Sequence, residues 1–232
     1  MAAKTSAKAA WVLRTFQSRA LPLMRTLWRS VIQPHQDYAS QLWSPVGLRG
    51  DLRLQEGPLR AFSKRVSGLG HLPYWERLAA MGLQSTERRQ ERYKIFYTWK
   101  ALAGKVPSCG ITLAPDSGTR RGLTAQVPPL SGSRAAIQTL RDYSLSCEGP
   151  RLFNCVPAHL RSLDVSFEVF KAGVDQWLKA VPDLPWTQYR HHPAIDHKGA
   201  QSNSLRAWDH VPVGELPALI PGPGLTAPPV TV

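Results

Sequence analysis

Apolar residues recur at steps of three and four through several stretches between Leu21 and Val181, and a proline or glycine stands near the end of most of them. That spacing turns one side of an α-helix toward a core, and the breakers keep the helices short, so the sequence predicts a mainly α fold. From Leu21 to Gln33, Leu23, Met24, Leu27, Trp28 and Val31 share the helical period, and Pro34 is expected to interrupt it. A short stretch carrying Tyr38 and Leu42 follows up to Trp43, where Ser44-Pro45 breaks it. Asp51 to Val66 predicts a further helix, with Leu52, Leu59, Phe62 and Val66 apolar and with Arg53, Arg60 and Lys64 on a different face. Gly57-Pro58 falls inside this helix. An interior proline costs about 3 kcal/mol, so a kink or two shorter helices are expected there.

Pro73 suits the first turn of a helix running through Trp75, Leu78 and Ala79, and Gly82 suits its left-handed exit. Ser85 can cap a long helix to about Ala103. This helix is charged early, with Glu87, Arg88, Arg89, Glu91, Arg92 and Lys94, and apolar late, with Ile95, Phe96, Trp99 and Leu102, before Gly104 closes it. Residues 1–104 thus read as one basic helical region. Frequent glycine, proline and serine make 105–135 a linker or irregular loop.

A small α+β region is expected over 136–181. A partial alternation of Leu140, Tyr143 and Leu145 predicts a strand between Ile137 and Cys147, and Gly149-Pro150 opens a short turn or helix through Leu152 and Phe153. A last helix starts near Ser166, lined by Phe167, Phe170, Val174, Trp177, Leu178 and Val181, and Pro182 ends it. From 182 to 232 nine of 51 residues are proline and no apolar period is visible, which predicts a disordered tail.

The charge is lopsided in a way that bears on partners. Residues 1–130 hold 20 Lys/Arg against 7 Asp/Glu, whereas residues 131–232 hold 9 against 9, so the whole net charge of +13 sits in the first part. Such an excess points to a polyanion such as nucleic acid or an acidic membrane. No apolar run approaches the ~20 residues that cross a bilayer, and Cys109, Cys147 and Cys155 are too scattered for a disulfide framework. The reading is a soluble protein of a reducing compartment, nuclear or cytoplasmic, without a membrane partner or a small-molecule substrate. Lys4, Lys8, Arg14, Arg19, Arg25 and Arg29 precede the first acidic residue, Asp37, a composition similar to a mitochondrial transit peptide. The same segment nevertheless runs without a break into the first amphipathic helix.

Several blocks together resemble the region that follows the palm in reverse transcriptases of jockey-like non-LTR retrotransposons. One is Trp11-Val12-Leu13-Arg14-Thr15-Phe16. Another is Pro34-His35-Gln36-Asp37-Tyr38-Ala39-Ser40-Gln41-Leu42-Trp43-Ser44-Pro45, similar to the family's Pro-His-x-x-Tyr-x-x-x-x-Trp-x-Pro pattern. Gly70-His71-Leu72-Pro73-Tyr74-Trp75-Glu76-Arg77-Leu78, Arg88-Arg89-Gln90-Glu91-Arg92-Tyr93, Gly149-Pro150-Arg151-Leu152-Phe153-Asn154 and Ser166-Phe167-Glu168-Val169-Phe170-Lys171 follow in the family's order. The resemblance covers about residues 9–181.

It implies a thumb-like helical bundle that holds a primer–template duplex, followed by a region used in handling RNA and target DNA. In that family the polymerase site needs an aromatic-Ala-Asp-Asp box to hold two metal ions. Here Tyr38-Ala39 is followed by Ser40-Gln41, which cannot replace charged ligands, so no catalytic residue, metal or cofactor is expected. The family's endonuclease domain has no counterpart in the sequence either.

Lysine and arginine on one helix face can contact phosphates while the other face packs inward. Arg53, Arg60, Lys64 and Arg65 are the first candidates for phosphate contact, joined by Arg88, Arg89 and Arg92. The competing reading is a solvated charged face, with Glu87 and Glu91 pairing with nearby arginines. Trp28, Trp43, Trp75 and Trp99 could stack on bases, but their helical spacing favours the core. Cys147, Cys155 and His159 lack the close ligand pairs of a structural zinc site, and His191, His192 and His197 fall in the expected tail. Function therefore reads as sequence-independent nucleic-acid binding by a non-catalytic remnant. The alternative is a translated relic without selected activity, or one reused as a protein-interaction module.

Overall fold

The computed structural model describes residues 1–43, 49–115, 123–128, 144–181, 183 and 205. The fold is mainly helical. The first helices are α1 (Ala2–Thr15), α2 (Leu21–Leu27), a π-helical turn (Trp28–Ile32), α3 (Gln33–Asp37), α4 (Ser40–Trp43) and α5 (Arg49–Ser63). They are followed by α6 (Tyr74–Met81), α7 (Thr86–Leu102), α8 (Leu145–Cys155), a short 3-10 turn (Ala158–Leu160) and α9 (Phe167–Ala180).

Several expected boundaries are present. Gly82 leaves α6 at φ +59 and Gly104 follows α7 at φ +67, a left-handed conformation that glycine adopts without a Cβ penalty. The Ser85 hydroxyl accepts the Arg88 N–H at 3.1 Å and starts α7, and Ser166 accepts from Val169 N–H at the start of α9.

Pro34 departs from the expectation, and at Pro58 one of the two expected alternatives is excluded. Pro34 does not end the helix before it, because the π turn absorbs it. The Gln33 N–H reaches back five residues to the Trp28 carbonyl, and helical backbone continues to Asp37 despite the donor that Pro34 lacks. Pro58 lies inside α5, which runs uninterrupted from Arg49 to Ser63 rather than as two helices. Gly57 helps explain this. The residue before a proline is driven out of the α region partly by its own Cβ, which glycine lacks, and burial of Pro58, Leu59 and Phe62 offsets the missing hydrogen bond.

A third expectation is corrected. Ile137–Tyr143 lies outside the described residues, but Leu145, Ser146 and Cys147 belong to α8 rather than to a strand. The helix brings Leu152 and Phe153, with Val156 just past its end, into the cluster that packs against α7. Among the described residues the only β pairing is an isolated bridge between Leu113 and Ala125, within the stretch expected to be irregular.

Two apolar clusters form the interior. Ala9, Val12, Met24, Leu27, Trp28, Ile32, Leu59, Phe62, Val66, Leu69, Tyr74, Leu78 and Met81 bring α1, α2, the π turn, α5 and α6 together. Ile95, Phe96, Trp99, Leu152, Phe153, Val156, Phe170, Val174 and Leu178 join the second half of α7 to α8 and α9. Trp99 stacks on Phe170 with centroids 5.3 Å apart, and its indole N–H donates to the Ser162 carbonyl. Position 104 is thus the end of a helix that the second cluster shares, not a gap between cores. Most of the sequence from 182 onward lies outside the described residues, but Leu205 is buried in the second cluster at 1% exposure, and its N–H donates to both Glu91 carboxylate oxygens at 3.0 Å.

Candidate nucleic-acid interface

The seven predicted phosphate ligands divide into two groups. Arg53, Arg60, Lys64 and Arg65 are exposed, the first two on α5 and the others in the turn after it. Residues seven and four apart fall within a narrow arc of a helix, so Arg53, Arg60 and Lys64 form one stripe while Leu59, Phe62 and Val66 enter the core. Gly57, which falls on the stripe between Arg53 and Arg60, has no atom within 4 Å of where a Cβ would stand. A phosphate backbone would meet no side chain there.

Arg60 is held as well as exposed. Its guanidinium lies 4.1 Å from the Tyr74 ring centroid and 5.4 Å from that of Trp75, within cation–π range, so its rotamer is restricted before any ligand arrives. Beneath it, Arg77 donates to the Ser63 hydroxyl at 3.0 Å and to the Leu72 carbonyl at 2.7 Å, tying α6 to the end of α5. Burial, then the neighbouring Arg60, lowers the Arg77 pKa from its ordinary value.

Of the other three, Arg88 and Arg89 are buried and Arg92 is half-buried. Arg88 is 0% exposed, with Nε 3.9 Å from Glu91, and Arg89 is 5% exposed. Arg89 donates to Asp37 at 3.1 Å, to the Gln36 side chain at 2.9 Å and to the Gln84 carbonyl at 2.8 Å. Arg92 makes a two-pronged pair with Asp175 of α9 at 2.5 and 2.7 Å. Burial alone would lower the Arg92 pKa, but hydrogen bonding and charge from Asp175 outweigh it and hold the value above the ordinary one. Arg88 and Arg89 could not meet a phosphate without leaving desolvated surroundings, whereas Arg92 would have to leave a partly exposed ion pair.

These arginines belong to a polar layer between the two apolar clusters. Gln90 donates to the Gln55 side chain at 2.6 Å, and Gln36 donates to the Gln55 carbonyl. Glu56 accepts the Thr86 N–H at 2.8 Å and the Tyr74 hydroxyl. Burial, then the Glu56 carboxylate, pushes the Tyr74 phenol far above its usual range, so it stays protonated as the donor. Tyr93 donates to Asp37 at 3.3 Å and is raised by burial and by that carboxylate. Gln36 and Asp37, Tyr74, and Arg89, Gln90 and Tyr93, which come from three separate sequence blocks, therefore meet in or beside this layer.

The remaining candidates serve packing or lie apart. Trp28 and Trp99 are buried, while Trp43 and Trp75 are half-buried, with the Trp43 indole donating to the Tyr38 carbonyl at 2.7 Å. Cys147 is buried, Cys155 donates to the Arg151 carbonyl, and His159 is exposed on the 3-10 turn. Among the described residues no group of three or more His, Cys, Asp or Glu could hold a metal ion, and no described helix is long and apolar enough to cross a membrane. His191, His192 and His197 lie outside the described residues.

Two exposed aromatics, Tyr38 and Trp11, were not among the predicted contacts. Trp11 on α1 is 45% exposed, with the Lys8 ammonium 5.0 Å from its ring centroid. The signal available for it was local: Lys4, Lys8 and Trp11 share a side of α1 away from Thr5, Ala9 and Val12.

Comparison with family models, with curated proteins and with solved structures finds no match to this chain.

Proposed function

We propose that this chain is a non-catalytic, sequence-independent nucleic-acid-binding remnant of a retrotransposon reverse transcriptase, gripping an RNA or DNA backbone along α5. The observation that carries the reading is the stripe of Arg53, Arg60 and Lys64, continued by Arg65, on a helix whose other side is anchored in the core. Cations so arranged displace counterions from a phosphate chain and give affinity without reading bases. The family origin rests on the ordered sequence blocks, and the absence of an aromatic-Ala-Asp-Asp box supports binding without polymerisation.

The geometry sharpens the expectation numerically. With Arg88 and Arg89 buried and Arg92 paired with Asp175, the four exposed cations on α5 and its turn would give log K a slope of about −3.6 against log salt on duplex DNA. The test is a filter-binding titration of a primer–template duplex from low to physiological salt. Retention that falls with that slope supports the proposal, as does its near abolition by combined Arg53→Glu, Arg60→Glu and Lys64→Glu substitution. Salt-independent retention, or an unchanged titration in the triple variant, overturns it.

A further inference from the structure

We infer that α1 carries a single-strand subsite in which one nucleobase stacks on Trp11 while Lys4 and Lys8 take its flanking phosphates. The inference rests on the nucleic-acid reading of α5 and extends it to a structural class of substrate, a duplex with a single-stranded extension.

Three observations converge on α1. First, its apolar side is already used: Ala9 and Val12 are buried in the first cluster, with Leu13 and Phe16 packed against it. What stays outside is one large aromatic, Trp11, at 45% exposure. A membrane-surface helix needs a broad apolar face to bury, and a lone indole does not supply one, whereas a single flat π surface suits one base.

Second, the ring is framed by cations. The Lys8 ammonium lies 5.0 Å from the indole centroid, within cation–π distance, and Lys4 stands one turn earlier on the same side. A nucleotide stacked on the ring brings its own phosphate within reach of such lysines, which is the usual pairing of platform and charge in single-strand sites.

Third, the charges do not help the helix that bears them. The first turn of α1 contains no acidic residue, and Lys4 sits near the positive end of the helix dipole, where a cation is unfavourable. Arg19 shows the contrasting use of a cation on this segment, since it donates to the Leu13 and Phe16 carbonyls and closes the C-terminal end of α1. α1 also packs directly on α5, so the subsite and the basic stripe belong to neighbouring helices of one bundle.

The test uses the full chain and two labelled probes followed by fluorescence anisotropy: a blunt DNA duplex, and the same duplex with a single-stranded oligothymidine extension. The unaltered protein is expected to bind the extended probe more tightly. Trp11→Ala should weaken binding to the extended probe about 10- to 100-fold while leaving blunt-duplex affinity within about twofold, and Trp11→Phe should keep most of the preference. The combined Arg53, Arg60 and Lys64 reversal, in contrast, should weaken both probes.

Equal affinity of the unaltered protein for the two probes overturns the subsite while leaving the α5 reading intact. So does an equal loss on both probes in Trp11→Ala. Failure to bind either probe overturns both readings. Binding to phosphatidylserine vesicles that Trp11→Ala abolishes, with no preference for the extended probe, replaces the base by a lipid surface and overturns the proposal. Circular dichroism of Trp11→Ala guards against misfolding. Should that variant unfold, Lys4→Ala with Lys8→Ala must remove the preference for the extended probe, or the proposal fails.

Discussion

α5 and α7 each present three or more cations in a short stretch, and the two helices put them to opposite uses. On α5 and its turn, Arg53, Arg60, Lys64 and Arg65 face outward. On α7, Arg88 and Arg89 are buried and Arg92 is bound to Asp175. The difference arises from surroundings rather than from the helices' own sequences. α7 is enclosed by α4 and α5 on one part and by α8 along the rest, and carboxylates at Asp37 and Asp175 reach it from distant positions. α5 borders the core on one side only. A run of arginines in the sequence therefore does not by itself mark a binding face, because acids from distant positions can meet it in the fold.

The sharpest break in that comparison would be at Arg89. Arg89→Ala leaves Asp37 and Gln36 without their guanidinium in the interior, and we expect a loss of about 3–5 kcal/mol in urea unfolding, with any molecules that remain folded still binding duplex normally. Unchanged stability together with weakened binding would place Arg89 among the phosphate ligands after all.

Next in size is the contact that makes α7 central. A Cβ on Gly149 of α8 would stand 2.5 Å from the Thr98 hydroxyl, so Gly149→Ala must push α8 from α7. The expected cost is about 1–3 kcal/mol, reduced when Thr98→Ala is made in the same chain. Strictly additive effects would mean that the two helices separate freely.

A smaller loss is expected at Arg92, whose pair with Asp175 is partly exposed, at 19% and 34% of the two side chains. Arg92→Ala should cost about 1 kcal/mol, with part of that difference disappearing in high salt, whereas the Arg89 effect should persist. A salt-insensitive loss at Arg92 would place it with Arg89 in the desolvated interior.

The Tyr74–Glu56 bond supplies a test by pH. Because the folded-state phenol is held above its unfolded value of about 10, its stabilisation is complete below that pH and is lost as pH rises beyond it, where the unfolded chain releases the proton first. Tyr74→Phe is expected to cost about 1 kcal/mol at pH 7, measured by urea unfolding, and the gap from the unaltered protein should narrow above pH 10. A gap that widens there would mean that the folded phenol loses its proton more easily than the unfolded one. The smallest stability effect belongs to α5, where reversing Arg53, Arg60 and Lys64 should shift unfolding by less than about 1 kcal/mol while removing most duplex binding.

Much of this architecture was legible in local sequence. The period of Phe167, Phe170, Val174 and Leu178, the cap at Ser85 and the exits at Gly82 and Gly104 depend on residues within a turn or two of each other, and backbone geometry turns them directly into helix faces and ends. The α5 stripe was legible for the same reason. Pro34 and Leu145–Cys147 were misread because the fold overrode local preference in each: a π turn, and a helix packed against α7.

The tertiary structure alone decided which charges are spent inside. Nothing near Arg89 in the chain announces Asp37, and nothing near Arg92 announces Asp175; the partners are brought together only when the helices close around α7. Sequence by itself determined that the chain is helical and that its positive charge lies in residues 1–130. Because Coulomb attraction and desolvation depend on distance in space rather than along the chain, only the packed fold could separate the cations buried among the helices from those that stay exposed.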